Sequence, residues 1–191
     1  MKVGVLALQG AFIEHVKMLR KLGADPVEVR LPEDLDDLDR LIIPGGESTT
    51  IGKLAVSYGL IEPLRDFAAH KPTWGTCAGM IFLAKDLGHD KQPILNLMDI
   101  HVDRNAFGRQ VDSFETDLQI KGFDSPYHAV FIRAPVVTAV ENGVEILGQL
   151  EDGRIIAVQE GHLLATSFHP ELTDDLRFHR YFLTMNDENT A

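Results

Sequence analysis

The chain has 191 residues, of which 45% are hydrophobic and 25% are charged, which is typical of a globular protein rather than a disordered or membrane-embedded one. This length suits one sizeable hydrophobic core, so we predict a single domain over residues 1–191. The formal net charge of -11 at pH 7 would repel a phosphate backbone, which excludes nucleic acid as the main partner and leaves small molecules and proteins.

The sequence predicts a cytoplasmic protein without a membrane segment. No apolar run approaches the ~20 residues that span a bilayer. The N-terminus enters an apolar stretch at once and lacks the basic region, long apolar run and cleavage site of a signal peptide.

The first half of the chain alternates strand patterns with helix patterns. Short buried strands are predicted at Lys2–Leu8, Pro26–Val29, Arg40–Ile43 and Pro72–Gly75, and helices at Ala11–Leu22, Ser48–Ser57 and Ala78–Lys85. This βαβ order predicts a parallel sheet covered by helices on both faces.

The second half contains six short strand patterns separated by turn residues. They lie at Thr116–Ile120, Ala129–Ile132, Val136–Val140, Glu145–Gln149, Ile155–Gln159 and Leu163–Ser167, and such a series favours antiparallel additions to the sheet. A last helix is predicted at Thr173–Met185, with Asp174 and Asp175 near its positive end. We therefore expect an α/β fold with three layers, in which helices flank a mostly parallel sheet with antiparallel additions.

Cys77 is the only cysteine, so it is either a small core residue or a nucleophile. Its frame, Gly75-Thr76-Cys77-Ala78-Gly79, is the GxCxG form of a nucleophile elbow, a sharp turn from strand to helix. The two glycines remove Cβ atoms that would crowd the neighbouring elements, and the helix N-terminus that follows favours a thiolate. The pattern therefore favours a catalytic cysteine. No CxxC pair or close His/Cys cluster indicates a metal site.

His169 is the candidate base among the eight histidines. It follows the predicted strand Leu163–Ser167, and a side chain at the carboxyl end of a parallel strand reaches the sheet edge that Cys77 also reaches. Glu171 can accept a hydrogen bond from the far ring nitrogen and orient the imidazole, as in other triads. The alternative for Glu171 is an exposed carboxylate at a helix start, and the remaining histidines are interpreted as solvated or core imidazoles.

The segment Pro44-Gly45-Gly46-Glu47-Ser48 follows another predicted strand. Paired glycines let backbone N–H groups point into a site, where an oxyanion would need donors. The alternative is a tight turn with Ser48 as the helix N-cap, and both interpretations are compatible. The motifs of phosphate-binding loops are absent.

Arg104 and Arg133 complete the candidate residues. A guanidinium could clamp the α-carboxylate of an amino acid in bidentate geometry. A solvated surface position is the alternative for each, and residue chemistry alone leaves both unassigned.

Six segments together resemble the class I, triad-type glutamine amidotransferases, and among them the glutaminases of two-protein pyridoxal 5'-phosphate synthases. These segments are VGVLALQGAFIEH from Val3, RLIIPGGESTT from Arg40, WGTCAGM from Trp74, DRNAFGRQ from Asp103, FIRAP from Phe131 and SFHPELT from Ser167. They cover the chain from near its start to its last predicted helix. The resemblance implies a flavodoxin-like sheet and hydrolysis of L-glutamine without a metal or organic cofactor.

The resemblance also implies roles for individual residues. Cys77 would be the nucleophile, His169 the general base and acid, and Glu171 the orienting carboxylate. Backbone N–H groups of Gly46 and Ala78 would form the oxyanion hole. The glutamine site would be lined by Gly46, Glu47, Ser48, Arg104, Ile132 and Arg133.

The implied partner is a (β/α)₈-barrel synthase subunit that uses the ammonia, with twelve glutaminases around a twelve-subunit core. Hydrolysis without an acceptor would waste glutamine, so we expect the isolated subunit to be nearly inactive. The Gly45-Gly46 peptide is the candidate switch, with the Gln9-Gly10 loop nearby. The alternatives are a glutaminase that serves another synthase, a cysteine peptidase, and a non-catalytic subunit in which Cys77 is only packed.

Overall fold

One sheet of ten strands lies at the centre of the part of the chain that the structure describes. The structure is a computed structural model that describes residues 1–104, 113–141 and 143–185. Its strands are β1 (Lys2–Leu6), β2 (Asp25–Val29), β3 (Arg40–Ile43), β4 (Thr73–Thr76), β5 (Ala84–Asp86), β6 (Met98–Asp103), β7 (Ser113–Leu118), β8 (Tyr127–Ile132), β9 (Val136–Val140), β10 (Glu145–Gln149), β11 (Ile155–Glu160) and β12 (Leu163–Thr166). Its helices are α1 (Phe12–Lys21), α2 (Ser48–Ser57), α3 (Ile61–His70), α4 (Ala78–Leu83) and α5 (Arg177–Thr184), with 3₁₀ turns at Pro32–Leu35 and Pro170–Leu172.

The parallel half of the sheet has the order β2-β1-β3-β4-β12. Every neighbouring pair in it is parallel, so the carboxyl ends of these strands lie along one edge. All residues of β3, β4 and β12 are buried, as expected of strands that are covered on both faces. The predicted parallel sheet is confirmed.

The other half of the sheet is mainly antiparallel. β11 pairs antiparallel with β12, β9 and β10, and β9 pairs antiparallel with β6. The short strand β5 lies parallel to β6 at the far edge. Antiparallel additions are therefore present, and β12 is the strand at which the sheet changes direction.

Two of the predicted additions do not join the main sheet. β7 and β8 pair with each other as a separate two-stranded sheet. Their inward side chains, which include Leu118, Tyr127 and Phe131, pack into a core cluster, so the hairpin covers the main sheet instead of extending it. An isolated bridge between Ile120 and Gly148 and a hydrogen bond from the Lys121 N–H to the Leu147 carbonyl link this region to the main sheet.

Two hydrophobic clusters lie on the two faces of the sheet. Helices α2, α3 and α4 contribute to one cluster, and α1 and α5 contribute to the other. Successive residues of β3 alternate between them, since Leu41 and Ile43 join the first and Ile42 joins the second. The three-layer α/β fold is thus confirmed, while the single domain over residues 1–191 stays a prediction.

Several boundaries differ from the predictions. β1 ends at Leu6 instead of Leu8. The helix predicted at Ala78–Lys85 ends at Leu83, because the next residues pair with β6 as a strand.

The last helix begins at Arg177 instead of Thr173, and a separate 3₁₀ turn at residues 170–172 precedes it. Asp175 accepts a hydrogen bond from the Arg177 backbone N–H at 3.0 Å, in agreement with its predicted place near the positive end. Helix α3 and strands β5 and β6 were not predicted.

Candidate active site

Four chain segments meet at the carboxyl edge of the parallel strands. β1 leads to the Gln9-Gly10 loop, β3 to Gly45, β4 to Cys77 and β12 to His169. Since β3, β4 and β12 are adjacent in the sheet, the residues that follow them lie side by side. The topology therefore brings the predicted nucleophile, the predicted base and the glycine turn to one place.

Cys77 forms the sharp turn between β4 and α4. Its φ of 49° and ψ of -105° are unusual for a residue other than glycine. Its backbone N–H donates to the Thr166 carbonyl at 2.8 Å. A Cβ on Gly75 would lie 2.4 Å from the backbone of Gly79, and a Cβ on Gly79 would lie 2.0 Å from the Ile43 carbonyl oxygen. Both glycines are therefore sterically required, as the GxCxG pattern predicts.

His169 and Glu171 form a buried hydrogen-bonded pair. His169 Nδ1 lies 2.7 Å from Oε1 of Glu171, and the two residues are only 8% and 4% exposed. The His169 backbone N–H donates to the Val130 carbonyl at 2.8 Å, so β8 helps to fix the turn. Glu171 lies in the 3₁₀ turn and not at an exposed helix start, and its carboxylate faces the imidazole.

The electrostatics of this pair favour a charged imidazole. Burial lowers the pKa of His169, but hydrogen bonds with Cys77 and Glu171 outweigh burial and raise the pKa to about 10. Burial raises the pKa of Glu171, but the nearby His15 and the hydrogen bond with His169 bring it below its usual value. At neutral pH the geometry therefore holds an imidazolium between a carboxylate and the cysteine sulfur.

Gly45 packs directly against the two candidate catalytic side chains. A Cβ at this position would lie 2.5 Å from Cε1 of His169 and 3.3 Å from Cβ of Cys77. The Gly45 N–H donates to Thr76 Oγ1 at 3.1 Å, and its carbonyl accepts from the Ala11 N–H at 3.0 Å. The absence of a side chain lets the turn approach the catalytic residues.

Glu47, and not Ser48, caps helix α2. The Glu47 carboxylate accepts from the backbone N–H groups of Thr49 at 3.2 Å and Thr50 at 2.7 Å. Ser48 is the first helical residue, and its hydroxyl donates to Oε1 of Gln92 at 3.1 Å. The expected Ser48 cap is thus wrong, because the longer carboxylate reaches two N–H groups of the first turn.

Gly46 is exposed beside this cap. A Cβ on Gly46 would lie 2.4 Å from Oε1 of Gln9, the same oxygen that accepts the Glu47 backbone N–H at 2.7 Å. The Gln9-Gly10 loop therefore touches the glycine turn, as predicted.

Arg104 reaches the start of α2 from the end of β6. Its Nη2 lies 3.6 Å from Oε1 of Glu47 and 3.4 Å from Oγ1 of Thr49. The side chain is 25% exposed, so it is held at the site and is not a fully solvated surface arginine. The rest of the predicted DRNAFGRQ motif, from Asn105 onward, lies outside the described residues.

Ile132 is the last residue of β8, and Arg133 follows it. The Cys77 sulfur lies 3.9 Å from the Ile132 carbonyl oxygen, and the Ile132 side chain is 40% exposed. Arg133 is exposed and has a φ of 44°. Ala78, at the start of α4, is buried next to Cys77. All the predicted site residues thus belong to segments around one sheet edge, and their functional roles remain predictions.

Sequence reasoning missed three polar residues that contact these groups, namely His15, Thr76 and Gln92. His15 lies 3.4 Å from the second oxygen of Glu171. Its spacing from Phe12 and Leu19 places it on the apolar face of α1, which is the one signal that could have singled it out.

The described ranges, with their gaps at 105–112 and 142, contain no cluster of three or more His, Cys, Asp or Glu that could hold a metal ion. Within the same ranges, no helix has both the length and the hydropathy that crossing a membrane requires. The prediction that catalysis needs no cofactor stays a prediction.

A cysteine elbow beside a buried His–Glu pair on a mostly parallel α/β sheet is the arrangement of a cysteine-dependent amide-hydrolysing enzyme. The profile of the SNO glutamine amidotransferase family matches residues 5–188. The chain belongs to this family, which confirms the family and the fold class predicted from the sequence.

Its relatives have a more specific name. The pyridoxal 5'-phosphate synthase subunit PdxT of Herpetosiphon aurantiacus is 61% identical over 188 residues, which cover 96% of this chain and 99% of that protein. The subunit of the same name from Dehalococcoides mccartyi strain 195 is 60% identical over 189 residues and 97% of each chain. A solved structure described as a glutamine amidotransferase is 52% identical, with a TM-score of 0.90 over 96% of this chain and 97% of that one.

Proposed function

We propose that Cys77, His169 and Glu171 hydrolyse L-glutamine to L-glutamate and ammonia for a pyridoxal 5'-phosphate synthase. The observation that carries the proposal is a buried imidazole, oriented by a carboxylate at 2.7 Å, beside a cysteine in a strained strand-to-helix turn. The family and the names of the relatives bear out the predicted glutaminase that supplies ammonia for vitamin B6 synthesis together with a synthase subunit.

In the first half-reaction, the Cys77 sulfur attacks the side-chain carbonyl carbon of glutamine. The C–S bond forms, and the electron pair of the carbonyl π bond moves to the oxygen. His169, which is protonated at neutral pH, then gives its proton to the amide nitrogen as the C–N bond breaks. The electron pair on the oxygen re-forms the carbonyl, ammonia leaves, and a γ-glutamyl thioester remains on Cys77.

In the second half-reaction, the neutral imidazole of His169 removes a proton from water as the water oxygen attacks the thioester. The C–S bond breaks with its electron pair staying on the Cys77 sulfur, glutamate is released, and His169 is protonated again. Throughout the cycle, the Glu171 carboxylate holds Nδ1–H, so that the other ring nitrogen exchanges the proton.

Backbone N–H groups of Ala78 and Gly46 are our candidates for binding the oxyanion. Ala78 is the first residue of α4, and the first N–H groups of a helix have no partner within the helix. The carbonyl of the Gly45-Gly46 peptide points to the Ala11 N–H at 3.0 Å, so the Gly46 N–H of this trans peptide points the opposite way. Each such donor lowers the barrier by ~3 to 4 kcal/mol.

The same glycine turn is our candidate for the switch that couples hydrolysis to the synthase. Three hydrogen bonds hold it, from the N–H of Gly45 to Thr76, from the N–H of Ala11 to the Gly45 carbonyl, and from the N–H of Glu47 to Gln9. A synthase docked on the partly exposed Gln9-Gly10 loop would change the last two, and so turn the Gly46 N–H toward the oxyanion and complete the oxyanion hole.

Hydrolysis should therefore depend on the partner. Purified protein alone is expected to release glutamate at a small fraction of the rate seen with a pyridoxal 5'-phosphate synthase barrel subunit, because the oxyanion hole lacks one donor until docking. Initial rates of glutamate release at saturating glutamine check this expectation. Equal turnover with and without the synthase would contradict the proposed switch. No turnover in either state would indicate a non-catalytic subunit.

Glutamine itself would lie between the α2 start and the β8 end. Glu47, Ser48 and Arg104 line the first side, and Ile132 and Arg133 line the second. The guanidinium groups of Arg104 and Arg133 are suited to the α-carboxylate, and the carboxylate of Glu47 to the α-amino group. Burial and the hydrogen bond with Gln92 keep Ser48 in place.

We also propose the larger setting of the enzyme. The assembly has twelve copies of this chain around twelve barrel subunits, as the family resemblance implies, and a protected passage keeps ammonia unprotonated on its way to the synthase. A cytoplasmic location fits a catalytic thiol, since Cys77 is free and must stay reduced. Mass measurement of the reconstituted complex tests the stoichiometry.

The Glu171→Gln variant should keep partner binding and lose hydrolysis. The amide can still accept the Nδ1–H bond, but it cannot stabilise the imidazolium, so we expect kcat to fall roughly 10²- to 10⁴-fold. Steady-state glutamate release in the complex measures this effect, with co-purification of the synthase as the control. Unaltered kinetics would remove Glu171 from the triad.

A further inference from the structure

His15 contacts the candidate triad from behind. It lies on α1 and is 0% exposed. Its Nε2 lies 3.4 Å from Oε2 of Glu171 and 3.3 Å from Oγ1 of Thr76, and its Nδ1 lies 2.9 Å from Nε2 of His179. The other oxygen of Glu171, Oε1, binds His169, so His15 is next to the group that orients the base.

Thr76 connects His15 to the glycine turn. Its Oγ1 accepts the backbone N–H of Gly45 at 3.1 Å and lies next to Nε2 of His15. The buried imidazole of His15 is therefore in contact with the Glu171 carboxylate and with the Thr76 hydroxyl. That hydroxyl holds the Gly45 turn, which carries a candidate oxyanion donor.

The hydrogen positions follow from charge. Burial lowers the pKa of His15 and lowers that of His179 further, so both rings are neutral at neutral pH and each carries one N–H. The ring nitrogen of His15 that faces the Glu171 carboxylate must carry the hydrogen, because a lone pair would be repelled there. His15 Nδ1 then accepts the Nε2–H of His179.

The remaining lone pair in this arrangement is on Nδ1 of His179, which has no hydrogen-bond partner among the described residues. An unpaired acceptor is tolerated more often than an unpaired N–H. The opposite arrangement would leave an unpaired N–H on His179 and a lone pair against the carboxylate, so it is disfavoured at both ends.

Packing alone does not account for two imidazoles at this place. His179 contacts Trp74 edge-on with ring centroids 5.1 Å apart, and His15 contacts the same ring at 5.7 Å. Apolar side chains would fill this aromatic surrounding without the cost of removing ring nitrogens from water. Oε2 of Glu171 is fully buried and has no hydrogen bond among the described residues, so the N–H of His15 at 3.4 Å offsets its charge.

We propose that His15 is a positioning residue for glutamine hydrolysis, which holds the Glu171 carboxylate and, through Thr76, the Gly45 turn, while His179 holds His15. This inference rests on the proposed triad. His15 touches neither the substrate nor the reacting atoms, and it acts on the rate through Glu171 and Thr76.

Two substitutions separate positioning from packing. In His15→Gln the side-chain amide nitrogen can occupy the place of Nε2 and keep the donor toward Glu171 and Thr76. In His15→Asn the shorter amide can keep the contact with His179 but cannot reach Glu171. We expect His15→Asn to lower kcat roughly tenfold to hundredfold with little change in KM for glutamine, and His15→Gln to restore most of the loss.

The measurement is glutamate release by the complex with the synthase subunit, together with the melting temperature of each variant. His162→Gln is the matched control, because His162 is partly buried and bonds the Ala68 carbonyl at 2.8 Å at the opposite edge of the sheet. Equal losses of kcat in His15→Asn and His15→Gln, or no loss in His15→Asn, would overturn the inference. No hydrolysis by the unaltered complex would overturn the proposed function first.

Thr76 gives a second test that does not alter the aromatic cluster. Thr76→Val removes the hydroxyl but keeps the shape, and Thr76→Ser keeps the hydroxyl. A lower kcat in Thr76→Val that is restored in Thr76→Ser supports the link from His15 to the glycine turn, even where His15→Asn does not fold. Equal kcat values in the two variants contradict that link.

Discussion

The Cys77→Ala variant is expected to release no measurable glutamate from glutamine, even in the presence of the synthase subunit. Without the sulfur no thioester can form, and removing one member of a catalytic triad typically costs roughly 10⁴- to 10⁶-fold in kcat. The side chain is only 6% exposed, so alanine should fold in its place. Glutamate release measured over several hours, with the unaltered chain in parallel, gives the result.

The same variant offers a direct readout of the catalytic pair. The hydrogen bond with Cys77 is one of the contacts that raise the pKa of His169 to about 10, so the imidazole should lose its proton at a lower pH in Cys77→Ala. Histidine titration by NMR measures this shift. His128, whose pKa is raised by hydrogen bonds with Asp117 and Glu115, should titrate unchanged. Hydrolysis by Cys77→Ala at the normal rate would exclude Cys77 as the nucleophile.

The candidate active site at the carboxyl edge of the parallel strands was predictable because short sequence motifs indicate it. Strands β3 and β4 are short runs of buried residues that lead into glycine-containing turns, and the glycines are visible in the sequence. The GxCxG pattern indicates where Cβ atoms are not tolerated, and the close approach of neighbouring backbone to Gly75 and Gly79 agrees with it. Parallel pairing of the neighbouring strands β4 and β12 then places their carboxyl ends, and with them Cys77 and His169, at one edge.

Features that depend on distant contacts were not predictable in this way. The strand patterns of β7 and β8 are ordinary, and only the packing of their apolar side onto the core shows that they form a separate hairpin. His15 resembles any histidine on a helix. Its contacts with Glu171 and Thr76 join residues that are far apart in the chain. No periodicity in the sequence predicts these contacts.

The helix cap is an intermediate case. Both Glu47 and Ser48 are local candidates, and small hydroxyl residues are the more frequent N-caps. In the structure the carboxylate of Glu47 reaches two N–H groups of the first turn, while the hydroxyl of Ser48 donates to Gln92, 44 positions away. The local sequence left the choice between the two neighbouring candidates open.

The Gly79→Ala variant is expected to lose stability and activity together. A Cβ on Gly79 would lie 2.0 Å from the Ile43 carbonyl oxygen and 2.9 Å from the carbonyl carbon, so helix α4 must move away from β3. Overpacking against backbone costs about 3 kcal/mol, which corresponds to a melting temperature lower by roughly 6–12 °C for a chain of this size. Thermal unfolding of the purified variant measures the loss.

Gly23→Ala is the matched control, because it separates a steric clash from the loss of a glycine. Gly23 has a φ of 78° and nothing within 4 Å of an added Cβ, so alanine there should cost only about 1 kcal/mol of backbone strain and leave hydrolysis unchanged. In Gly79→Ala, movement of α4 displaces Cys77 and the Ala78 N–H from His169, so kcat should fall by more than the unfolded fraction explains. If both variants lost the same stability and kept full activity, the close approach of α4 to β3 would not be what fixes the nucleophile.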